Sequence, residues 1–197
     1  RCNELSLPKT SPPYIAILHH GLAMGSQSSE IVIIGSGIVG VSTAYFLAKE
    51  GFRPILVERD SVGSHASGFA YGGLSPVFET GIPESEVGKL GFALHKEFSE
   101  QLREETGIDI EHRPKTAISL TFTEAEANSA VSAVRKQSAE GQHKVVWLEP
   151  HEVNKIEPRI SGNILGARYT ECAAEVEPYR LVLALTQAAE SNGATVR

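Results

Sequence analysis

Residues 31–58 read IVIIGSGIVGVSTAYFLAKEGFRPILVE, and the fold follows from how that stretch is parsed. Ile31 to Ile34 is a short, wholly apolar run, the pattern of a parallel strand covered on both faces. Gly35-Ser36-Gly37-Ile38-Val39-Gly40 comes next and matches G-x-G-x-x-G. In such a turn Gly35 lets the chain leave the strand sharply, Gly37 lets backbone approach a pyrophosphate, and Gly40 lets helix and strand pack closely. A diphosphate then rests on free backbone N–H groups at a helix N-terminus.

Val41, Ala44, Tyr45 and Ala48 recur at i, i+3, i+4 and i+7, and Gly51 stands just past Glu50 as a stop, so a helix fills the middle of the stretch. Pro54 is tolerated where the next strand begins, Ile55-Leu56-Val57 is again apolar, and Glu58 falls eighteen residues after Gly40, where a ribose-binding acid belongs. A carboxylate there can accept from both ribose hydroxyls and repels a 2′-phosphate, which disfavours NADP. Tight turns alone can produce a glycine triplet. Here strand, triplet, helix, stop, strand and acid occur in order, and that order points to a dinucleotide.

The 197 residues are 41% hydrophobic and 21% charged, an ordinary globular composition with length for one sizeable core or two small ones. A net charge of -6 and the absence of a basic run give no reason to expect nucleic acid. Cys2 and Cys172 lie far apart with no C-x-x-C, so neither a disulfide framework nor a zinc site is indicated, and a reducing, cytoplasmic setting is the default. No apolar run is long enough to be a transmembrane segment.

Residues 1–29 read as a disordered leader, rich in proline and small polar residues; His19-His20 has no carboxylate or thiol nearby to complete a metal site. Met24 is the sole methionine and a candidate start. Beyond Arg59 a second glycine-rich loop runs from Gly63 through Ser67, Gly68, Tyr71, Gly72 and Gly73 to Pro76. Such a density of small residues lets backbone lie against a flat or charged ligand. Pro83 to Thr106 reads as a long amphipathic helix with Val87, Leu90, Leu94, Phe98 and Leu102 inward, and His95 is a packing residue beside that stripe. Strands are expected over Ile108–Arg113 and Thr116–Phe122, then a helix opened by the capping box Thr123-Glu124-Ala125-Glu126 and running to about Glu140. A strand at Val145–Leu148, a short helix at Pro150–Ile156, a strand at Ile164–Tyr169 and a helix opened by Pro178 complete the pattern. Ala194-Thr195-Val196-Arg197 reads as the next parallel strand of the first sheet, so the chain is expected to be the N-terminal part of a longer protein.

Residues 31–58, then ASGFAYGGLSP at 66–76, then VEPYRLVLALTQAAESNGATVR at 176–197, together resemble the FAD-dependent amine oxidoreductases related to D-amino acid oxidase, glycine oxidase and sarcosine oxidase. The resemblance implies an α/β fold: a Rossmann-type FAD-binding domain with a parallel sheet, incomplete here, and an inserted α+β substrate domain. Residues 30–81 would be the first segment of the FAD-binding domain, 82–175 part of the substrate domain, and 176–197 a truncated return to the first. The resemblance places Gly35, Gly37, Ile38, Val39 and Gly40 on the diphosphate, Glu58 on the adenosine ribose and Arg59 along the adenine. Ala66, Ser67, Tyr71, Gly72 and Gly73 would line the phosphates and the flavin edge. Relatives with covalent flavin on this loop carry a histidine four residues before the position of Leu74; Ala70 stands there and His65 is out of register, so non-covalent FAD is expected.

The implied reaction is oxidation of the C–N bond of a small amino acid or amine by hydride transfer to flavin N5, and no residue is assigned as catalytic. Two other readings stay open on the sequence: a truncated, non-catalytic nucleotide-binding fragment, and an NAD-dependent dehydrogenase. The latter has no need of the loop at Ala66 to Pro76.

Overall fold

The computed structural model describes residues 31–75, 86–140 and 145–197; the expected leader, His19-His20 and the start of the helix at Pro83 lie outside them. In chain order the elements are β1 (Val32–Ile34), α1 (Ile38–Lys49), β2 (Ile55–Val57), β3 (Gly73–Leu74), α2 (Glu86–Thr106), β4 (Arg113–Thr121), α3 (Glu124–Glu140), β5 (Val145–Leu148), α4 (Pro150–Ile156), β6 (Gly166–Glu175), α5 (Pro178–Ser191) and β7 (Thr195–Val196). Among the described residues one unit comprises 31–72, 96–111 and 176–197, and the other 73–95 and 112–175.

In the first unit β2 is the central strand of a three-stranded parallel sheet, with β1 and β7 on either side. Ile33 stands opposite Leu56, and Leu56 opposite Val196. The residues read as the inner stripe of α1, Val41, Ala44, Tyr45 and Ala48, are its buried ones. Helix α1 packs on β1 and β2 and along α5, where Leu181, Leu185 and Ala188 are buried. Alanines on both helices leave no bulk between them: Ala44, Ala48, Ala184 and Ala188 are all buried.

The opposite face of the sheet departs from expectation. Val32, Ile34 and Val57 are exposed, Ile34 by 88%, whereas Leu56 is fully buried. Side chains alternate along a strand, and α1 covers the Ile33 and Leu56 face, with Gly40 beside Ile33.

The later half of α2 is joined to α1 by an aromatic and ionic seam. The Tyr45 ring meets Phe46 and Phe98 edge-on, at 5.1 and 5.5 Å. Its hydroxyl donates to Glu105 (3.2 Å) and accepts from Gln101 (2.9 Å), while Lys49 pairs with Glu105 at 2.7 Å. Burial, with Glu105 alongside, pushes the Tyr45 phenol above its ordinary range. The segment after Gly107 is not the strand expected over Ile108–Arg113. The Asp109 carboxylate instead takes the Glu111 N–H (2.8 Å), Glu111 adopts a left-handed conformation (φ 57°), and α5 holds the turn from the far side. There Glu177 N–H donates to Ile110 O (2.9 Å) and Arg180 pairs with Glu111 (2.9 Å).

In the second unit β6 is the organising strand, antiparallel to β3, β4 and β5. It runs to Glu175, well beyond the expected end at Tyr169, because three partners satisfy a stretch whose alanines and glutamate carry little strand preference of their own. Pro114, read as a break, lies inside β4, opposite Ala174. Among the described residues β4 pairs only with β6, so the missing N–H falls on an edge. The capping box at Thr123 forms, with Glu126 accepting from the Phe122 and Thr123 N–H groups at 2.9 and 3.1 Å. Ile118 and Leu120 pack on a core of Val153, Ile164 and Ala167, whereas Phe122 is exposed, as is Val87, read as inward. Buried Cys172 is not a free thiol, although cysteine spacing gave no sign of a partner for it.

Truncating the fully buried Leu56 in the central strand should cost about 2–5 kcal/mol, through lost transfer energy and the cavity left behind. Chemical denaturation of Leu56→Ala should show a lower midpoint with an unchanged slope.

Candidate functional site

Chemically distinctive groups collect where β1 and β2 end. Strand β1 delivers the chain to Gly35, whose positive φ (95°) turns it away from the sheet, and Gly35 N–H bonds Val57 O at 2.8 Å. Helix α1 begins at Ile38 with Gly37 as its N-cap, a residue with no side chain of its own to cap the first turn. A Cβ on Gly40 would overlap the carbonyl oxygen of Gly35. The glycine therefore lets the first turn of α1 lie directly on the end of β1, with its N–H groups and dipole directed at the turn.

Glu58, the first residue past β2, points at the same turn. Its Oε2 accepts from both the backbone N–H (2.8 Å) and the hydroxyl (2.6 Å) of Ser36, and its Oε1 accepts from the Asp60 N–H (3.0 Å). The N–H of Asp60, followed by the hydroxyl and N–H of Ser36, holds the Glu58 carboxyl down at about 2 from an ordinary 4.5. The group is thus an ionised acceptor fixed in one rotamer. Three of its about four acceptor positions are already used, so the expected pair of bonds to a ribose diol would require Ser36 to release Oε2.

The two glycine loops meet at Ser67. Its hydroxyl accepts from the Ile38 N–H at 2.9 Å, and a Cβ on Gly37 would stand 3.1 Å from that oxygen. Gly35, Gly37, Ile38, Val39, Gly40, Glu58 and Ser67 are therefore assembled around one helix start. Ala66 and Tyr71 are exposed on the second loop, Tyr71 by 93%, and Gly72 turns through a positive φ of 79°. Gly73 belongs to β3 in the other unit. Arg59 turns to Asp60 (3.1 Å), whose carboxylate also pairs with His65 Nε2 at 2.7 Å. Those two contacts, His65 first, hold the Asp60 carboxyl below its ordinary value.

Sequence reasoning missed Ser36 and Asp60. Ser36 occupies the first free position of the glycine motif, and its small polar side chain two residues past an apolar strand was the available signal. The glycine-lined helix start and the ionised acceptor beside it match the two demands of a dinucleotide, a diphosphate seat and a ribose partner.

The family model described as DAO, FAD dependent oxidoreductase, matches residues 30–197. Glycine oxidase from Geobacillus kaustophilus is 34% identical over 168 residues, 84% of this chain and 44% of the relative. Glycine oxidase from Bacillus licheniformis is 31% identical over 169 residues, 85% of this chain and 44% of the relative. The crystal structure of the Geobacillus kaustophilus enzyme superposes with a TM-score of 0.77 at 34% identity, covering 85% of this chain and 45% of that one. The chain thus spans just under half the length of these glycine oxidases.

Because the folded Glu58 carboxyl titrates near 2 rather than 4.5, its contribution to stability is complete above about pH 5 and drains away as the pH falls towards 2. Glu58→Gln should melt below the parent at pH 6 to 8, and the gap between their melting temperatures should close with acidification.

Proposed function

Because the chain belongs to the DAO family of FAD-dependent oxidoreductases, we propose that it carries the adenosine and diphosphate end of an FAD site in an enzyme that oxidises the carbon–nitrogen bond of a small amino acid or amine. The observation that carries the reading is the Glu58 carboxylate, ionised and held through Ser36 at the glycine turn that opens α1. By this reading residues 30–81 and 176–197 belong to the cofactor domain and 82–175 contribute to the substrate domain, with 96–111 of the latter packed in the unit of α1 and α5.

In this reading the turn of Gly35, Gly37, Ile38, Val39 and Gly40 gives backbone N–H groups to the diphosphate. Glu58 accepts from the adenosine ribose, first through Oε1, which has one fewer donor than Oε2. Arg59, on leaving Asp60, lies along the adenine. Ala66, Ser67, Tyr71, Gly72 and Gly73 line the phosphates and the flavin edge, with the Ser67 hydroxyl turning from the Ile38 N–H towards a phosphate oxygen. With alanine at position 70 this loop offers no histidine for covalent attachment, so the flavin is held non-covalently. When bound, FAD supplies a two-electron acceptor that takes hydride from the substrate carbon bearing nitrogen. The chain's own part is to fix the cofactor's position and keep its diphosphate neutralised by dipoles instead of by mobile ions.

Expression of the protein at its natural length should give a yellow preparation whose flavin spectrum passes to the supernatant on acid precipitation. Glu58→Arg, which places a cation where the ribose acceptor stood, should leave the far-UV circular dichroism intact and yield protein without flavin. Undiminished flavin in that variant would remove Glu58 from the site.

A further inference from the structure

Between Asp60 and Gly72 the second glycine loop is a run of turns, with the Ser64 N–H on Ser61 O (3.0 Å) and the Gly68 N–H on His65 O (3.1 Å), and where those turns sit is set by what they lie against. The neighbour that recurs along it is the start of α5. Gly63, at a φ of 67°, lies so close to that helix that a Cβ would stand 3.1 Å from Val182 Cγ1 and 3.3 Å from Tyr179 Cδ2. A Cβ on Gly68 would stand 3.1 Å from the same Tyr179 atom and overlap the carbonyl oxygen of Gly63. Farther along, a Cβ on Gly72 would overlap Val176 O and lie 3.1 Å from Pro178, and the Val176 N–H bonds Gly72 O at 2.9 Å. Three of the loop's glycines are thus spaced against four residues between Val176 and Val182.

The base of this support is itself fixed. The Glu177 carboxylate caps α5, accepting from the Arg180 N–H at 2.6 Å, and Pro178 occupies the first turn, where its missing N–H costs nothing. Tyr179 therefore projects from a capped, proline-started helix whose next turns are buried against α1. Gly68 is the immediate neighbour of Ser67, whose hydroxyl sits on the first N–H of α1. A ring under Gly63 and Gly68 consequently sets where Ser67 meets that helix.

We propose that Tyr179 is a positioning residue for the cofactor: its ring is the template on which the loop from Gly63 to Gly72 is folded, holding Ser67 and the segment after it ready for FAD. The proposal rests on the FAD reading only for its consequence on binding; the templating itself does not. The Tyr179 atoms nearest the two glycines are the ring carbons Cδ2 and Cε2, so the hydroxyl is dispensable and the ring is not. Without the ring, the loop must be ordered at the moment of binding, and affinity falls by the cost of that ordering.

Phe69 and Tyr71 are exposed within the loop and give chymotrypsin two cleavage sites that report its opening directly. Tyr179→Ala, freed of flavin, should be cleaved after Phe69 and Tyr71 about tenfold faster than the parent, with cleavage in α1 and α2 unchanged, and its dissociation constant for added FAD should rise about tenfold or more. Tyr179→Phe should match the parent in both measurements. Equal loop cleavage in Tyr179→Ala and the parent, or a Tyr179→Phe variant as sensitive as Tyr179→Ala, would overturn the proposal. Should Tyr179→Ala fail to fold, Tyr179→Leu, which keeps bulk but not the flat ring, is subject to the same two criteria. A parent that binds no FAD would overturn the cofactor reading alone, and the cleavage comparison would still decide whether the ring is the template.

Discussion

A missing methyl group at position 40 is the constraint on which the rest of the first unit depends. A side chain there would run into the carbonyl oxygen of Gly35, at the end of the strand that α1 must cover. With no Cβ in the way, α1 lies flat on β1 and β2, and its inner face of Val41, Ala44, Tyr45 and Ala48 reaches both the sheet and α5. The same close approach brings the first turn of the helix to the strand ends, where Glu58 arrives. Packing and site are therefore not separable at this turn.

The second constraint is electrostatic. Glu58 is open to solvent, so its carboxylate incurs little desolvation, yet backbone and hydroxyl donors from two different loops converge on it. Charge-assisted bonds of this kind are stronger and more directional than neutral ones. They freeze the rotamer before any ligand is present, which reduces the ordering a ligand must impose. The arrangement also sets a competition, since any further donor must either take an unused acceptor position or displace Ser36. Arg59 and His65 stand one step back, both on Asp60, so the two carboxylates hold separate sets of partners.

What could be read in the sequence, and what could not, follows from the range of the interactions. The β1, α1 and β2 segment is specified by contacts within thirty residues, and its periodicity, stop and glycines all carry the same message, so its buried stripe was legible residue by residue. The capping boxes and the proline that opens α5 are equally local. By contrast, β6 depends on three strands brought to it from elsewhere, and its last six residues have no pattern that announces a strand. Pro114 looked like a break because its position on an edge strand is a property of the sheet, not of the residue. Within the site, the glycine motif and the acid were visible from spacing, whereas the hold of Ser36 on Glu58 spans twenty-two residues and the contact of Tyr179 with Gly63 and Gly68 more than a hundred. Side chains that act by supporting others leave no spacing signature.

Parallel topology explains why these supports converge. In a sheet whose strands all run the same way, every strand hands its chain over at the same edge, and each following helix presents its N-terminus there. Gly35 follows β1 and Glu58 follows β2, while Arg197, following β7, accepts the Glu58 N–H on its carbonyl at 2.8 Å. Three strand ends, distant in sequence, thus form one ledge, and α1 is aimed at it dipole first. The apolar face bearing Val32, Ile34 and Val57 lies on the broad side of the sheet and not on this ledge, so its exposure leaves the geometry of the site untouched. The polar chemistry is tied to strand direction and the apolar packing to strand alternation. That is why, among the described residues, three short parallel strands covered on one side hold an ionised acid and a helix start in register.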